Sequence, residues 1–330
     1  MTGKEESTGK TSPDGSGASP QDKEGGPRLS RRRFLAAAGA LLGAGATVAV
    51  WRKGPRFKML YTADRFVSYH RPQGLPAEEP LDPAWALIPG YRVDLLPQNV
   101  TPPHLHRTSV SHLVVRSLHD GQTIVFHLEW DDGSEDPLEA IDRFRDAVAV
   151  QLPLHPEKSP PVTMGAKDHP VHVAQWKASW QRDLERGFQG VEALYPHTYS
   201  EVASSGPRGA KQEDAESIYP ALRLKNPLAE RRRRSPVEEF LAEGFGTLTH
   251  HSRQEARGKG VYRSGGWSVT IALPMRGGPD KASLEPGRKH LVAFALWNGS
   301  DRADPRGEMG NSGARKHWAG WVELEIRPLR

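Results

Sequence analysis

The chain has 330 residues, of which 36% are hydrophobic and 26% are charged, and its formal net charge is +5. This composition is typical of a globular protein with a sizeable core and excludes wholesale disorder. The net charge lacks the strong basic excess that is typical of nucleic-acid binders. The absence of cysteine excludes disulfides, thiolate nucleophiles, cysteine-ligated zinc, iron–sulfur clusters held by this chain and covalent c-type haem. The 33 glycines and 28 prolines favour many turns, as in all-β proteins.

The amino terminus has the features of an export signal. Residues 1–29 are polar and without apolar periodicity, which is typical of a disordered leader. Ser30–Leu35 then places paired arginines before a Gly/Ala-rich apolar segment that ends at Val50, and this arrangement resembles the twin-arginine signal. The apolar segment is slightly shorter than the roughly 20 apolar residues that a membrane span takes. Two interpretations therefore stay open: a signal cleaved near Ala44-Gly45-Ala46 and a retained membrane anchor. We predict a leader over residues 1–54 and one periplasmic or otherwise extracytoplasmic domain over residues 55–330.

Apolar residues in this domain recur with period two, which is typical of strands. The clearest predicted strands are residues 110–118, 123–130, 261–263, 267–273, 290–297 and 318–326. The first two flank Asp120-Gly121 and the next two flank Gly265-Gly266, so that each pair predicts a hairpin.

Helical signals are few, the best being residues 137–148 and a short turn over residues 235–243. Residues 197–236 lack periodicity and contain the run Arg231–Arg234, which predicts a surface insertion. The arginines of this run are expected to be solvated or to dock an acidic partner. The predicted fold is mostly β: an antiparallel β-sandwich with few short helices and a long irregular insertion.

The sequence lacks the familiar catalytic motifs. It has no nucleophile elbow, phosphate-binding Gly-Lys-Ser/Thr loop or dinucleotide fingerprint, and its 14 histidines form no His-x-x-x-His or Glu-x-x-His pair. Met164 stands beside Gly165 in a proline-rich loop, where a thioether can approach a planar cofactor or fill a gap in the core.

A series of short segments in this sequence resembles a known protein family. In chain order they are Asp146–Pro153, Met164-Gly165, His169–Val171, Gln175–Trp180, Ser235–Glu239, Ala242–Thr249, Gly266-Trp267, Ala293–Ser300, Gly313–Lys316 and Trp318. The series resembles the haem-b-binding gamma subunit related to ethylbenzene dehydrogenase, found in type II enzymes of the dimethyl sulfoxide reductase family. It covers most of residues 90–326.

The resemblance implies a β-sandwich that holds one haem b between an axial methionine and an axial lysine, which correspond to Met164 and Lys316. His317, a stronger haem ligand than lysine, is an alternative second ligand, and Met309 is a weaker one. The implied function is that of a non-catalytic, exported b-type cytochrome subunit. It would transfer electrons between the iron–sulfur beta subunit of a complex with a molybdopterin alpha subunit and a soluble or membrane electron carrier.

The chemistry of the residues agrees with this implication. A haem b is not attached through cysteine, and methionine ligation with both axial positions filled favours electron transfer over oxygen activation. A lysine must bind iron as the neutral amine, so a dry site that lowers its pKa from about 10.4 would assist.

The tryptophans leave a second function open. Trp176, Trp180, Trp297, Trp318 and Trp321 could line a haem site or pack in the core. The alternative is a carbohydrate- or other ligand-binding β-sandwich module without haem, in which exposed tryptophans such as Trp267 stack on sugar rings.

Overall fold

The structure is a computed structural model that describes residues 60–62, 64–140, 143–155, 159–190, 197, 220–224, 226–227, 229–301 and 315–329. The predicted leader and export signal lie outside these residues, as do most of the predicted insertion and the candidate Met309. All described residues belong to one unit, residues 57–330.

Strands dominate the described residues. They are β1 (Leu60–Thr62), β2 (Arg65–His70), β3 (Gly90–Asp94), β4 (Leu96–Pro97), β5 (His112–His119), β6 (Thr123–Asp131), β7 (Ala147–Pro153), β8 (Val171–Lys177), β9 (Val237–Ala242), β10 (Thr249–His250), β11 (Arg257–Tyr262), β12 (Gly266–Pro274), β13 (Lys289–Trp297), β14 (His317–Trp318) and β15 (Val322–Ile326). The helical segments are a 3-10 helix, Pro83–Leu87, and two α-helices, α1 (Ala178–Arg186) and the single turn α2 (Pro220–Arg223). No helix in this described part is long and apolar enough to span a bilayer.

The strands form one hydrogen-bonded path, β10-β9-β8-β7-β13-β15-β2-β5-β6-β12-β11, that folds into two layers at β13. The first half of β13, Lys289–Val292, pairs with β15, and its second half, Ala293–Trp297, pairs with β7. We call the layer made of β7–β10 with the second half of β13, and with β14 and β4 at its side, the cavity sheet. The remaining strands form the opposite sheet.

The core lies between the two layers. Trp176 of the cavity sheet meets Trp130 and Trp267 of the opposite sheet, with ring centroids 6.5 Å and 4.9 Å apart. Phe126 and Phe294 are fully or almost fully buried in the same cluster. The mostly β prediction and the sandwich are therefore confirmed, although β2 runs parallel to both β5 and β15 and β1 runs parallel to β3, so that the pairing is mixed.

Both predicted hairpins are confirmed as β5–β6 and β11–β12. The predicted helix over residues 137–148 is wrong, because the described residues up to 146 are irregular and β7 begins at Ala147. Strand β7 is buried on both faces, so that its sequence does not alternate between apolar and polar residues. The helical turn predicted over residues 235–243 is wrong as well, since this segment forms β9 between β8 and β10.

Candidate functional site

A cavity of about 960 Å³ lies on the face of the cavity sheet that points away from the core. This volume is within the range of ligand sites in proteins. Alternate residues of the central strands supply its floor, and the residues between them enter the core. On β7, for example, Ala149 and Gln151 line the cavity, whereas Val148 and Val150 pack between the sheets.

The middle of this floor is paved with small side chains. Ala149 lies opposite Ala295 on β13, and Gln151 lies opposite Ala293, so that three alanines sit side by side where the two strands pair. Alanine rises little above the pleated backbone. The floor is therefore shallow and can accept the face of a flat apolar group.

Met164 reaches the cavity from a tight loop above β7. Its φ is 72°, in the left-handed region that non-glycine residues rarely adopt. Backbone hydrogen bonds hold this conformation: the Gly244 N–H donates to the Met164 carbonyl at 2.8 Å, and the Gly165 N–H donates to the Pro161 carbonyl at 2.9 Å. Strained residues persist where the surroundings over-determine them, and they cluster at functional sites.

Two side chains tie this loop to the sandwich. The Gln151 amide donates to the Val162 carbonyl at 3.0 Å, and the Trp321 indole N–H donates to the Pro160 carbonyl at 2.8 Å. The position of Met164 is thereby fixed relative to the cavity floor.

Lys316 lines the same cavity from the segment just before β14. Its Nζ lies 5.6 Å from the centroid of the Trp297 ring, and no carboxylate of the described residues pairs with it within 4.0 Å. Desolvation lowers the pKa of this amine to about 8. Lys316 is thus an amine that burial pushes towards its neutral, metal-binding form.

His317 lies in different surroundings. Its ring is fully buried and is absent from the cavity lining. Its Nε2 accepts from the backbone N–H of Ser109 at 3.0 Å and of Val110 at 3.3 Å, while its Nδ1 donates to the Leu296 carbonyl at 3.3 Å. Burial lowers the pKa of His317 to about 4, in keeping with a neutral imidazole whose two nitrogens are both occupied.

One edge of the cavity is charged. Lys177 donates to Oε2 of Glu238, and His250 Nδ1 lies 2.9 Å from Oε1 of the same carboxylate. Arg145 lines the cavity nearby and pairs with Glu139 at 2.7 Å. Among the described residues, no group of three or more His, Asp and Glu side chains forms a metal cage.

The predicted tryptophans divide between the cavity and the core. Trp297 and Trp318 line the cavity, whereas Trp176 packs between the sheets. The expectation that Trp267 is exposed is wrong: it is only 5% exposed, and its indole N–H donates to Asp146 at 2.9 Å. A buried ring of this kind cannot stack on a sugar.

Sequence reasoning missed the polar residues of the cavity floor and edge, above all Gln175, Lys177 and Glu238. A usable signal was present in β8, where the polar side chains of Gln175 and Lys177 are separated by the core residue Trp176. Polar residues at alternate positions of an otherwise apolar strand indicate that the second face of the sheet covers a polar site.

Comparisons with known proteins give two relatives of similar length. The chain is 24% identical over 253 residues to the "Putative respiratory nitrate reductase heme subunit ORF7" of Haloferax mediterranei, covering 76% of this chain and 69% of that protein. It is 24% identical over 250 residues to the dimethylsulfide dehydrogenase subunit gamma of Rhodovulum sulfidophilum, covering 70% of this chain and 72% of that protein.

Among solved structures, a family 9 carbohydrate-binding module from Caldicellulosiruptor kristjanssonii in complex with glucose is 8% identical. It matches with a TM-score of 0.36 over 80% of this chain and 96% of the module. The sequence model described as ethylbenzene dehydrogenase matches residues 82–304, a stretch that contains Met164 and the whole floor of the cavity. Since this match spans more than half of the sequence, the chain belongs to the ethylbenzene dehydrogenase family.

Proposed function

We propose that this chain is an exported electron-transfer subunit that holds one haem b in the cavity, with Met164 and Lys316 as the axial ligands. The observation that carries the proposal is that these two residues, far apart in sequence, line one cavity in a member of this family. One of the two 24%-identical relatives is named as a haem subunit, and the other as a gamma subunit.

The residues of the cavity fit such a group. The three alanines leave space for a planar macrocycle, and the volume of about 960 Å³ is sufficient for a large cofactor. A thioether and an amine are both suitable donors to haem iron, and Lys316 forms no ion pair among the described residues. His317 is the weaker choice, because ligation would require its ring to leave two backbone N–H donors.

When bound, a haem held by Met164 and Lys316 would supply one-electron transfer without an open site for oxygen. The protein's part is to hold the donors in place and to exclude water. The strained Met164 loop is fixed by its backbone bonds, so that little conformational freedom remains to be lost when its sulfur binds. Desolvation of Lys316 reduces the cost of removing its proton before ligation.

The partners proposed for this subunit follow the family. We infer a complex in which an iron–sulfur beta subunit passes electrons to or from this chain and a molybdopterin alpha subunit carries the substrate chemistry. A soluble or membrane carrier completes the route. Export by the twin-arginine pathway, with either a cleaved signal or a retained anchor, is part of the same proposal and rests on residues 30–50.

An absorption spectrum of the purified protein, expressed with adequate haem, tests the proposal. We expect sharp low-spin bands, and a pigment that acid-acetone extracts because it is not covalently bound. The bands should be lost in both Met164→Ala and Lys316→Ala. A colourless wild-type protein that instead binds polysaccharide would overturn the haem assignment, and unchanged bands in Lys316→Ala would transfer the second ligand to His317.

A further inference from the structure

The charged edge of the cavity forms a continuous hydrogen-bonded chain from the interior to solvent, which we call the lysine–glutamate–histidine chain. Lys177 and Glu238, with side chains 5% and 2% exposed, are buried, whereas His250 is 26% exposed. All three line the cavity. Because Glu238 binds Lys177 through one oxygen and His250 through the other, a proton can pass between solvent and the lysine along this chain.

The surroundings of this chain include further charges. The segment before β7 contributes Arg145 and Glu139, which pair with each other. Arg233 stacks on the Trp180 ring at 4.0 Å, on which Lys177 also lies at 4.3 Å, and it pairs with Asp183 of α1. Lys316 belongs to the same cavity wall.

The proton on Lys177 is held weakly. Burial lowers the pKa of Lys177 to about 8, the charge of Glu238 opposes this shift, and Arg145 adds to it. A lysine in this condition gains or loses its proton near neutral pH when one further charge changes close by.

The sheet register places Lys177 near the ligand region. Trp297, Ala147 and Lys177 are aligned across β13, β7 and β8, and Lys316 contacts the Trp297 ring. Two strand spacings amount to roughly 10 Å between the outer backbones. Charges at such separations interact appreciably where water is excluded.

We propose that the lysine–glutamate–histidine chain is a redox-linked proton site: it takes up one proton when the haem in the cavity is reduced and releases it on oxidation. This inference rests on the proposed function. The electron comes from a one-electron donor of the iron–sulfur class and reduces iron(III) to iron(II). The proton comes from water, enters at His250 and ends on Lys177, where it forms an N–H bond. Oxidation reverses both movements.

The proposal makes the midpoint potential depend on pH. If one proton accompanies one electron, the equilibrium constant changes tenfold per pH unit, which is 59 mV for a one-electron couple. The midpoint potential should decrease as pH rises through neutrality, because reduction then takes up a proton that has become scarcer. The slope should approach this limit. The low-spin bands should not change over this range, which separates the effect from dissociation of Lys316.

The next residue along β9 supplies a matched control. Glu239 pairs with Lys281 at 3.0 Å and with His172 at 3.1 Å, so that it makes the same three-residue combination. None of these three residues lines the cavity. Lys281→Gln therefore removes an equally buried, carboxylate-paired lysine that does not line the cavity.

Spectroelectrochemical titration of the haem-loaded full chain between pH 5.5 and 9 tests the inference. We expect a sloping potential in wild type and in Lys281→Gln, and a flat one in Lys177→Gln and Glu238→Gln. A flat wild-type potential, an unchanged slope in Lys177→Gln, or an equal loss of slope in Lys281→Gln would overturn the assignment.

A second measurement does not depend on the variants folding. Reduction of wild type in weakly buffered solution at pH 7–8 should raise the pH as protons are taken up, and an unchanged pH overturns the inference. Failure to bind haem at all, seen beforehand in the absorption spectrum, would overturn the proposed function together with this inference. Bound haem with a flat potential overturns only the inference.

Discussion

Lys316 and His317 are adjacent in sequence but differ completely in what their side chains contact. The Lys316 amine lines the cavity near Trp297, whereas both ring nitrogens of His317 bond backbone groups at Ser109, Val110 and Leu296. The two side chains are separated because successive side chains of an extended segment point to opposite sides.

This separation predicts opposite effects for two neighbouring substitutions. His317→Leu leaves the N–H group of the buried Val110 without its acceptor, at a cost of about 1–3 kcal/mol, and should leave the haem spectrum unchanged. Lys316→Leu should remove the low-spin bands with little loss of stability. Urea unfolding and absorption spectra of both variants check this, and a changed spectrum in His317→Leu would contradict it.

The Met164 loop depends on Gly165. This glycine has φ +75°, and a Cβ there would lie 2.6 Å from the His169 carbonyl oxygen. Gly165→Ala should therefore displace Met164 and weaken haem binding, at a conformational cost of about 1–3 kcal/mol. Haem titration of the apoprotein measures the effect.

Gly187 is the matched control for this substitution. It has φ +90° at the end of α1, with no atom within 4 Å of an added Cβ. Gly187→Ala should lower stability without altering haem affinity. Equal affinities for Gly165→Ala and wild type would show that the loop does not position the ligand.

The alanine floor predicts a steric block. In Ala149→Leu the larger side chain should rise into the cavity opposite Ala295 and exclude a planar group, while the inter-sheet core stays intact. Ala149→Ser, which is similar in size to alanine, should bind haem normally. Haem titration and circular dichroism together distinguish a blocked cavity from an unfolded chain, and normal haem uptake by the leucine variant would contradict the placement.

Asp146 predicts a pH dependence of stability. Burial, followed by the nearby charge of Asp132, raises the pKa of Asp146 to about 7 from an ordinary value of 3.8. Between these two values the folded protein keeps a proton that the unfolded chain has lost, so this group's contribution to stability falls as pH rises from about 4 to 7. Buried His317 and His127, with pKa values lowered to about 4, have the opposite sign in the same interval.

A variant pair tests the coupling between Asp146 and Asp132. Asp132→Asn removes the neighbouring charge, should lower the pKa of Asp146 and should flatten the decline of stability between pH 5 and 8. Asp131→Asn alters an exposed carboxylate next to it and is the control. Urea unfolding across this pH range gives the two slopes, and identical slopes would disprove the coupling.

The sequence predicted the elements whose signals are local. The Asp120-Gly121 and Gly265-Gly266 turns specify their hairpins without help from the rest of the fold. The predicted helix ran two residues into the central strand β7, whose residues are all buried because one face enters the core and the other covers the cavity. Its alternation appears only once the partner strands are known.

The cavity itself depends on long-range contacts that a single sequence does not display. Only the family resemblance indicates Met164 and Lys316, and no rule of spacing pairs them. The arginine run was expected to be solvated or to dock a partner, but Arg233 instead pairs with Asp183 at 2.8 Å inside this chain. The partners of Lys177 were also hidden, since Glu238 becomes its neighbour only when β9 docks beside β8.

Strand β13 belongs to both layers, and it therefore links the stability of the core to the shape of the cavity floor. Its side chains at positions 293, 295 and 297 line the cavity, and the alternating ones at positions 292, 294 and 296 pack in the core between the layers. The floor of the cavity is therefore complete only when β13 is paired in both layers. If the cavity holds a haem as proposed, we expect substitutions that loosen the packing between the layers to weaken haem binding as well as stability.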